Sequence, residues 1–66
     1  MNIQLNGESK NIDDDLTAEQ LVAQLGLAEK RLAMEVNMEI VPRSTYASVV
    51  LKPNDKIEIV RAIGGG

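Results

Sequence analysis

The stretch that decides the fold is residues 2–26, NIQLNGESKNIDDDLTAEQLVAQLG, where a hairpin pattern comes directly before a helix pattern. Residues 2–6 alternate polar and apolar side chains, which is typical of a half-buried strand. The Asn6-Gly7 dipeptide at the end of this segment favours a tight hairpin turn. Residues 9–12 then form the returning strand, so we expect the chain to open with a β-hairpin.

A helix is expected immediately after the hairpin. Thr17 and Gln20 have the spacing of a capping box, in which each side chain bonds to the other residue's backbone N–H. Gly26 stands where a left-handed residue commonly ends a helix. We therefore predict a helix over residues 18–25, whose apolar stripe faces the core and consists of Leu21, Val22 and Leu25.

Three consecutive aspartates, residues 13–15, precede this helix. A group of carboxylates is also a candidate metal site. However, negative charge just before a helix start complements the helix dipole. We therefore interpret the aspartates as solubilising and helix-starting residues, and we expect no metal site.

The rest of the chain carries three further strand patterns, at residues 32–37, 40–41 and 56–62. The second pattern ends at Pro42, which has no backbone N–H to donate to a sheet. An irregular segment with a helical turn, residues 43–48, comes next. In the last strand we expect Ile57 and Ile59 on one face and Val60 on the other.

The order of these elements predicts an α+β domain, with one main helix packed on one face of a mixed β-sheet. A hairpin, a crossing helix and later strands fit the ubiquitin-like β-grasp fold. In that fold the first and last strands lie side by side in the middle of the sheet. We expect the domain to span residues 1–62, followed by a flexible glycine tail at residues 63–66.

The residue types that are missing exclude several classes of chemistry. The chain has no Cys and no His, so it lacks a thiol nucleophile, a thiolate metal site and the commonest general base. The formal net charge is −3 and the single aromatic residue is Tyr46, whereas nucleic-acid binding needs basic patches and often stacking aromatics. We expect a protein partner with a basic surface instead, because complementary charge speeds encounter.

No apolar run approaches the roughly 18 residues that a membrane-spanning helix needs. The first residues alternate instead of forming an apolar signal segment. We therefore expect a cytoplasmic protein that does not bind membranes and is a monomer when free.

The end of the sequence, Gly64-Gly65-Gly66, is its most distinctive chemical feature. Glycine has no Cβ, so such a tail can pass through a narrow channel into the active site of another protein. Its terminal carboxylate is unreactive until a partner activates it, for example by adenylation. The alternative is that the three glycines are a frayed terminus or a linker.

Three segments carry a resemblance to a known family: Asn37-x-x-Ile40-Val41-Pro42-Arg43, Asn54-Asp55-Lys56-Ile57-Glu58-Ile59-Val60 and Ala62-Ile63-Gly64-Gly65-Gly66. Together they resemble the ThiS family, the sulfur carrier proteins of bacterial thiamine biosynthesis. The likeness covers essentially the whole chain. The one departure is a third glycine before the family's diglycine end.

The resemblance implies a β-grasp fold and a carrier mechanism. A ThiF-like enzyme, using ATP and Mg²⁺, adenylates the Gly66 carboxylate. Sulfur mobilised by a cysteine desulfurase then gives a thiocarboxylate, which a ThiG-like thiazole synthase uses. The resemblance thus implies a co-substrate, not an enzyme, and no cofactor bound by this chain.

Four other side chains are candidates for partner docking, and two of them have a less specific alternative. The docking candidates are Val60, Ala62, Ile63 and Arg43. The alternative for Val60 is cover by loops, and the alternative for Arg43 is a solvated surface side chain. Arg61 is a further candidate for contact with an acidic partner surface, and we expect Tyr46 to be a core or boundary ring.

Two other functions remain open from the residues alone. One is sulfur carriage in another pathway, as in the small subunit of molybdopterin synthase. The other is a ubiquitin-like interaction or modifier domain that needs no sulfur chemistry.

Overall fold

The structure is a computed structural model that describes residues 1–61 of the chain. Within these residues the elements follow the order strand, strand, helix, strand, strand, 3-10 helix, strand. Their bounds are β1 Asn2–Leu5, β2 Glu8–Asn11, α1 Ala18–Gln24, β3 Leu32–Val36, β4 Glu39–Val41, the 3-10 helix Arg43–Ser48 and β5 Lys56–Arg61. The predictions for Ala62 and for residues 63–66 lie outside the described residues.

The strands form one mixed sheet in the order β2-β1-β5-β3-β4. β1 and β5 are parallel, with Gln4 opposite Lys56 and Leu5 opposite Ile57. The other pairs in the sheet are antiparallel. The first and last strands are therefore neighbours inside the sheet, which confirms the predicted β-grasp arrangement.

Both hairpins have tight turns whose residues adopt positive φ. Asn6 and Gly7 have φ values of 50° and 84°, as the Asn-Gly dipeptide predicted. Asn37 and Met38, with φ values of 52° and 69°, connect β3 to β4. Successive positive φ values match the right-handed twist of the flanking strands.

The capping box predicted for α1 is present with both of its hydrogen bonds. The Gln20 backbone N–H donates to Thr17 Oγ1 at 3.1 Å, and the Thr17 backbone N–H donates to Gln20 Oε1 at 2.9 Å. The helix ends at Gln24 with Leu25 as its C-cap, one residue earlier than expected. Gly26 has φ 73°, the left-handed conformation predicted for it.

The hydrophobic core lies between α1, the 3-10 helix and one face of the sheet. The predicted helix stripe supplies Leu21 and Val22 as buried residues and Leu25 as a half-buried one. Tyr46 of the 3-10 helix is buried, which confirms its prediction as a core or boundary ring. Other members of the core are Ile3, Ile12, Leu16, Ala18, Met34, Leu51, Ile57 and Ile59.

The aspartates of residues 13–15 are exposed, and Asp14 forms a salt bridge of 3.2 Å with the terminal ammonium group of Met1. No three acidic, His or Cys side chains within residues 1–61 come together as a candidate metal site. In the same part of the chain, no helix has the length and apolar character required to cross a membrane.

Candidate functional site

The site begins at the last described residues of β5, because the glycine tail follows them in the sequence. β5 is an inner strand, bordered by β1 on one side and by β3 on the other. Near its end, Val60 lies opposite Ala33 and Arg61 lies opposite Leu32. The residues that lead into the tail are thus held by pairing with β3.

On the β1 side, the side chain of Asn6 continues the pairing after β1 itself has ended. Its Nδ2 donates to the Ile59 carbonyl at 3.1 Å, and the Ile59 N–H donates to its Oδ1 at 2.8 Å. The Asn6 backbone N–H also donates to the Ile57 carbonyl at 2.8 Å. A single side chain therefore satisfies both backbone groups of Ile59, two residues before the end of β5.

The sequence predicted Asn6 as a turn residue only. Its contact with Ile59 spans 53 positions in the chain, and nothing in the Asn-Gly pattern distinguishes this side chain from that of any other hairpin asparagine. The register between β1 and β5 is needed to find it.

Val60 lies on the face of the sheet opposite to the core, as predicted, and it is 60% exposed. This open face also carries Ala33, which is exposed and paired with Val60, and Ile40, which is 78% exposed. Loops within the described residues leave Val60 accessible. Its role in docking remains a prediction.

Arg43 is held by contacts within the chain, which neither interpretation of it from sequence had included. Its Nη1 donates to the Lys30 carbonyl at 2.8 Å, and its Nη2 donates to the Ala28 carbonyl. Its guanidinium carbon also lies 5.3 Å from the centre of the Tyr46 ring, within the range of a cation–π contact. Arg43 thus ties the α1–β3 loop to the 3-10 helix.

Burial raises the pKa of the Tyr46 hydroxyl above its usual value, and the positive charge of Arg43 opposes this rise in part. The ring therefore stays neutral at physiological pH and serves Arg43 as an apolar platform.

Arg43 is fixed at the same end of the sheet as the end of β5. Lys30, whose carbonyl accepts from Arg43, lies two residues before Leu32, and Leu32 is paired with Arg61. The structure therefore brings the Arg43 loop near the strand end, while Val60 projects from the open face. The tail residues Gly64, Gly65 and Gly66, and also Ala62 and Ile63, lie outside the described residues.

Comparison with known proteins identifies the family. A model of the ThiS family matches residues 3–66. A thiazole synthase from Paramagnetospirillum magneticum is 46% identical over 66 residues, which are 100% of this chain and 20% of that protein. The chain thus spans about a fifth of the length of the first curated relatives that it matches.

Relatives of similar length agree with this match. The sulfur carrier protein ThiS of Bacillus subtilis is 38% identical over 65 residues, covering 97% of this chain and 98% of that protein. The crystal structure of the thiamine biosynthesis protein ThiS from Geobacter metallireducens matches with a TM-score of 0.85 at 28% identity, over 100% of both chains. Sequence and fold together show that the chain belongs to the ThiS family of sulfur carrier proteins.

Proposed function

We propose that this chain carries sulfur as a thiocarboxylate on Gly66 and donates it for thiazole formation in thiamine biosynthesis. The observation that supports this most strongly is the match to the ThiS family over residues 3–66, a range that includes the glycine end. The chemistry of the chain agrees, because a protein without Cys or His offers its terminal carboxylate as the group to be modified.

In the first step, an oxygen of the Gly66 carboxylate attacks the α-phosphorus of ATP, bound with Mg²⁺ in a ThiF-like enzyme, and pyrophosphate leaves. The terminal sulfur of a persulfide, formed by a cysteine desulfurase, then attacks the acyl carbon, and AMP leaves with that oxygen. A thiol reductant cleaves the S–S bond of the resulting acyl disulfide and is itself oxidised to a disulfide. The product is a thiocarboxylate in which sulfur replaces one carboxylate oxygen. Adenylation supplies the leaving group that a free carboxylate lacks.

The acceptor of the sulfur is a ThiG-like thiazole synthase, which returns the Gly66 carboxylate for another cycle. The similarity to a segment of two thiazole synthases, at 46% and 47% identity, supports this partner. Exposed Val60 on the open face fits a docking role. Ala62 and Ile63 are docking candidates from the sequence alone. Arg43 has less freedom to bind a partner, because its guanidinium already donates to two carbonyls.

The test is the intact mass of the chain after incubation with ATP, Mg²⁺, an adenylating enzyme and a sulfur source. We expect a rise of about 16 Da, the difference between sulfur and oxygen in the acyl group. The ThiS protein of Bacillus subtilis, treated in parallel, is the positive control. No rise under conditions that load this control contradicts the proposal.

A variant that lacks Gly65 and Gly66 connects the mass change to the tail. We expect it to show no mass change and an unaltered melting temperature, because glycine has no side chain to contribute to a hydrophobic core. The core residues within residues 1–61 lie between Ile3 and Ile59. Expression of the chain in a strain that lacks its own thiazole sulfur carrier then tests the pathway. We expect the chain to restore growth without added thiazole. Rescue of a strain defective in molybdenum-cofactor synthesis instead would assign the chain to sulfur carriage for molybdopterin.

A further inference from the structure

The turn between β1 and β2 joins Asn6 directly to Gly7, and this pair is chemically reactive. Of the five asparagines in the chain, Asn6 alone is followed by glycine. The backbone nitrogen of the residue after an asparagine can attack the side-chain carbonyl carbon, and glycine, which has no Cβ, hinders this approach least. Asn6 is also exposed, so water reaches the turn.

The fold requires both residues of this reactive pair. Gly7 has a φ of 84°, a left-handed value that residues with a side chain rarely adopt. Asn6 has a φ of 50°, which asparagine tolerates better than most residues do. The side-chain amide of Asn6 also donates to the Ile59 carbonyl and accepts from the Ile59 N–H. The reactive dipeptide is therefore part of the turn and of the support for β5.

The same two hydrogen bonds oppose the reaction in the folded chain. Cyclisation forms a bond from the Gly7 nitrogen, which loses its proton, to Cγ of Asn6, and Nδ2 leaves as ammonia. Nδ2 is the donor to the Ile59 carbonyl at 3.1 Å, and Oδ1 accepts from the Ile59 N–H at 2.8 Å. These bonds hold the planar amide against β5, whereas cyclisation makes Cγ tetrahedral and bonds it to the Gly7 nitrogen. The reaction therefore requires the side chain to leave β5, which is a local opening of the structure.

Water opens the resulting succinimide at either of its two carbonyl carbons. One product is aspartate, and the other is isoaspartate, in which the backbone passes through Cβ and is longer by one methylene. A carboxylate has two acceptor oxygens and no donor. In the aspartate product, one oxygen still accepts from the Ile59 N–H, but the other faces the Ile59 carbonyl in the place of Nδ2. Two acceptors in contact repel each other, so the hydrogen bond at the Ile59 carbonyl is lost.

We propose that Asn6-Gly7 is a site of spontaneous deamidation, which the folded chain suppresses through the Asn6–Ile59 hydrogen bonds and which, once it occurs, loosens the end of β5. The Asn6 backbone N–H still donates to the Ile57 carbonyl in the product, so the loosening begins after Ile57. It reaches Arg61, the last residue of the strand that leads to the glycine tail. The proposal concerns the free chain and is independent of whether the chain carries sulfur.

The first test compares deamidation of the wild-type chain in buffer and in guanidinium chloride at the same mildly alkaline pH. The intact mass should rise by about 1 Da as the amide NH₂ gives way to OH. Peptide mapping that separates the aspartate and isoaspartate forms assigns the change to residue 6. We expect the folded chain to react at least about tenfold more slowly than the unfolded chain, because only opened molecules react.

Two controls accompany this comparison. Asn37, which Met38 follows in the other hairpin turn, should change little in either solution, because the residue after it carries a side chain. A synthetic peptide of residues 3–10, measured in both solutions, corrects for any effect of guanidinium chloride on the chemistry itself. Equal corrected rates, or a faster reaction in the folded chain, overturn the proposal, since the Ile59 N–H would then activate the Asn6 carbonyl instead of restraining it.

The second test measures the effect of the product on β5. Asn6→Asp carries the side chain of the aspartate product, and we expect its melting temperature to be lower than that of the wild type by about 5–15 °C. Hydrogen exchange at the Ile59 amide should be at least about tenfold faster. Asn2→Asp is the matched control with an unchanged melting temperature, because Asn2 Oδ1 accepts from Asn11 Nδ2 at 3.0 Å and a carboxylate keeps that role. Equal melting temperatures of the two variants overturn the proposed loosening of β5.

Discussion

Replacement of Arg43 by Ala should destabilise the domain without any partner present. The guanidinium donates to the carbonyls of Lys30 and Ala28 and lies 5.3 Å from the centre of the Tyr46 ring. The substitution removes all three contacts at once, and it frees the α1–β3 loop from the 3-10 helix.

The structure allows the size of this effect to be worked out. Arg43 is exposed, so each hydrogen bond is assigned about 1 kcal/mol, below the range for buried charged groups. The cation–π contact adds about 0.5 kcal/mol at such a site. The total is about 2.5 kcal/mol, which lowers the melting temperature of so small a domain by about 10–20 °C.

The assay is urea denaturation followed by circular dichroism, supported by thermal melting. Arg43→Lys should lose about half as much stability as Arg43→Ala, because an ammonium group lacks the fork that reaches two carbonyls. Lys30→Ala is the control, since it removes a charge from the same loop and leaves the accepting carbonyl in place. A loss below about 0.5 kcal/mol for Arg43→Ala, typical of an ordinary surface substitution, would refute this role of Arg43.

Three further predictions concern the core and the end of β5. Leu21→Ala should cost about 2–5 kcal/mol, because Leu21 is fully buried, and urea denaturation should show the domain close to unfolding. Asn6→Ala leaves both backbone groups of Ile59 without their side-chain partner, so we expect a loss of about 1–3 kcal/mol and faster hydrogen exchange at the Ile59 amide. Burial raises the pKa of Tyr46 above its usual 10.0, so the stability gained from a neutral ring is complete below pH 10.0 and is lost as the pH rises through the folded-state pKa. Tyr46→Phe should abolish that part of the alkaline loss, as measured by thermal melting across the pH range.

Local patterns in the sequence were sufficient for most of the architecture. Three of these features depend on neighbours within a few positions: the Asn6-Gly7 turn, the capping box of Thr17 and Gln20, and the left-handed Gly26 that follows the helix. Alternation in β5 correctly separated buried Ile57 and Ile59 from exposed Val60. These features follow from backbone propensity and from the two periodicities of helix and strand.

The contacts that the sequence did not predict join residues far apart in the chain. Arg43 bonds to carbonyls 13 and 15 positions away, and Asn6 bonds to a strand 53 positions away. Both use backbone groups as partners, which every residue possesses, so no pattern of side chains marks them.

The parallel pairing of β1 with β5 has a mechanical consequence for a protein whose proposed reactive group is its terminal carboxylate. A pull on the residues after Arg61, such as a partner exerts when it draws the tail inward, acts along the axis of β5. Bonds to β1, to β3 and to the Asn6 side chain lie across that axis, so they are loaded in shear and share the force. In such a sheet the hydrogen bonds do not break one after another. We therefore expect the domain to stay folded while a partner enzyme modifies the terminal carboxylate.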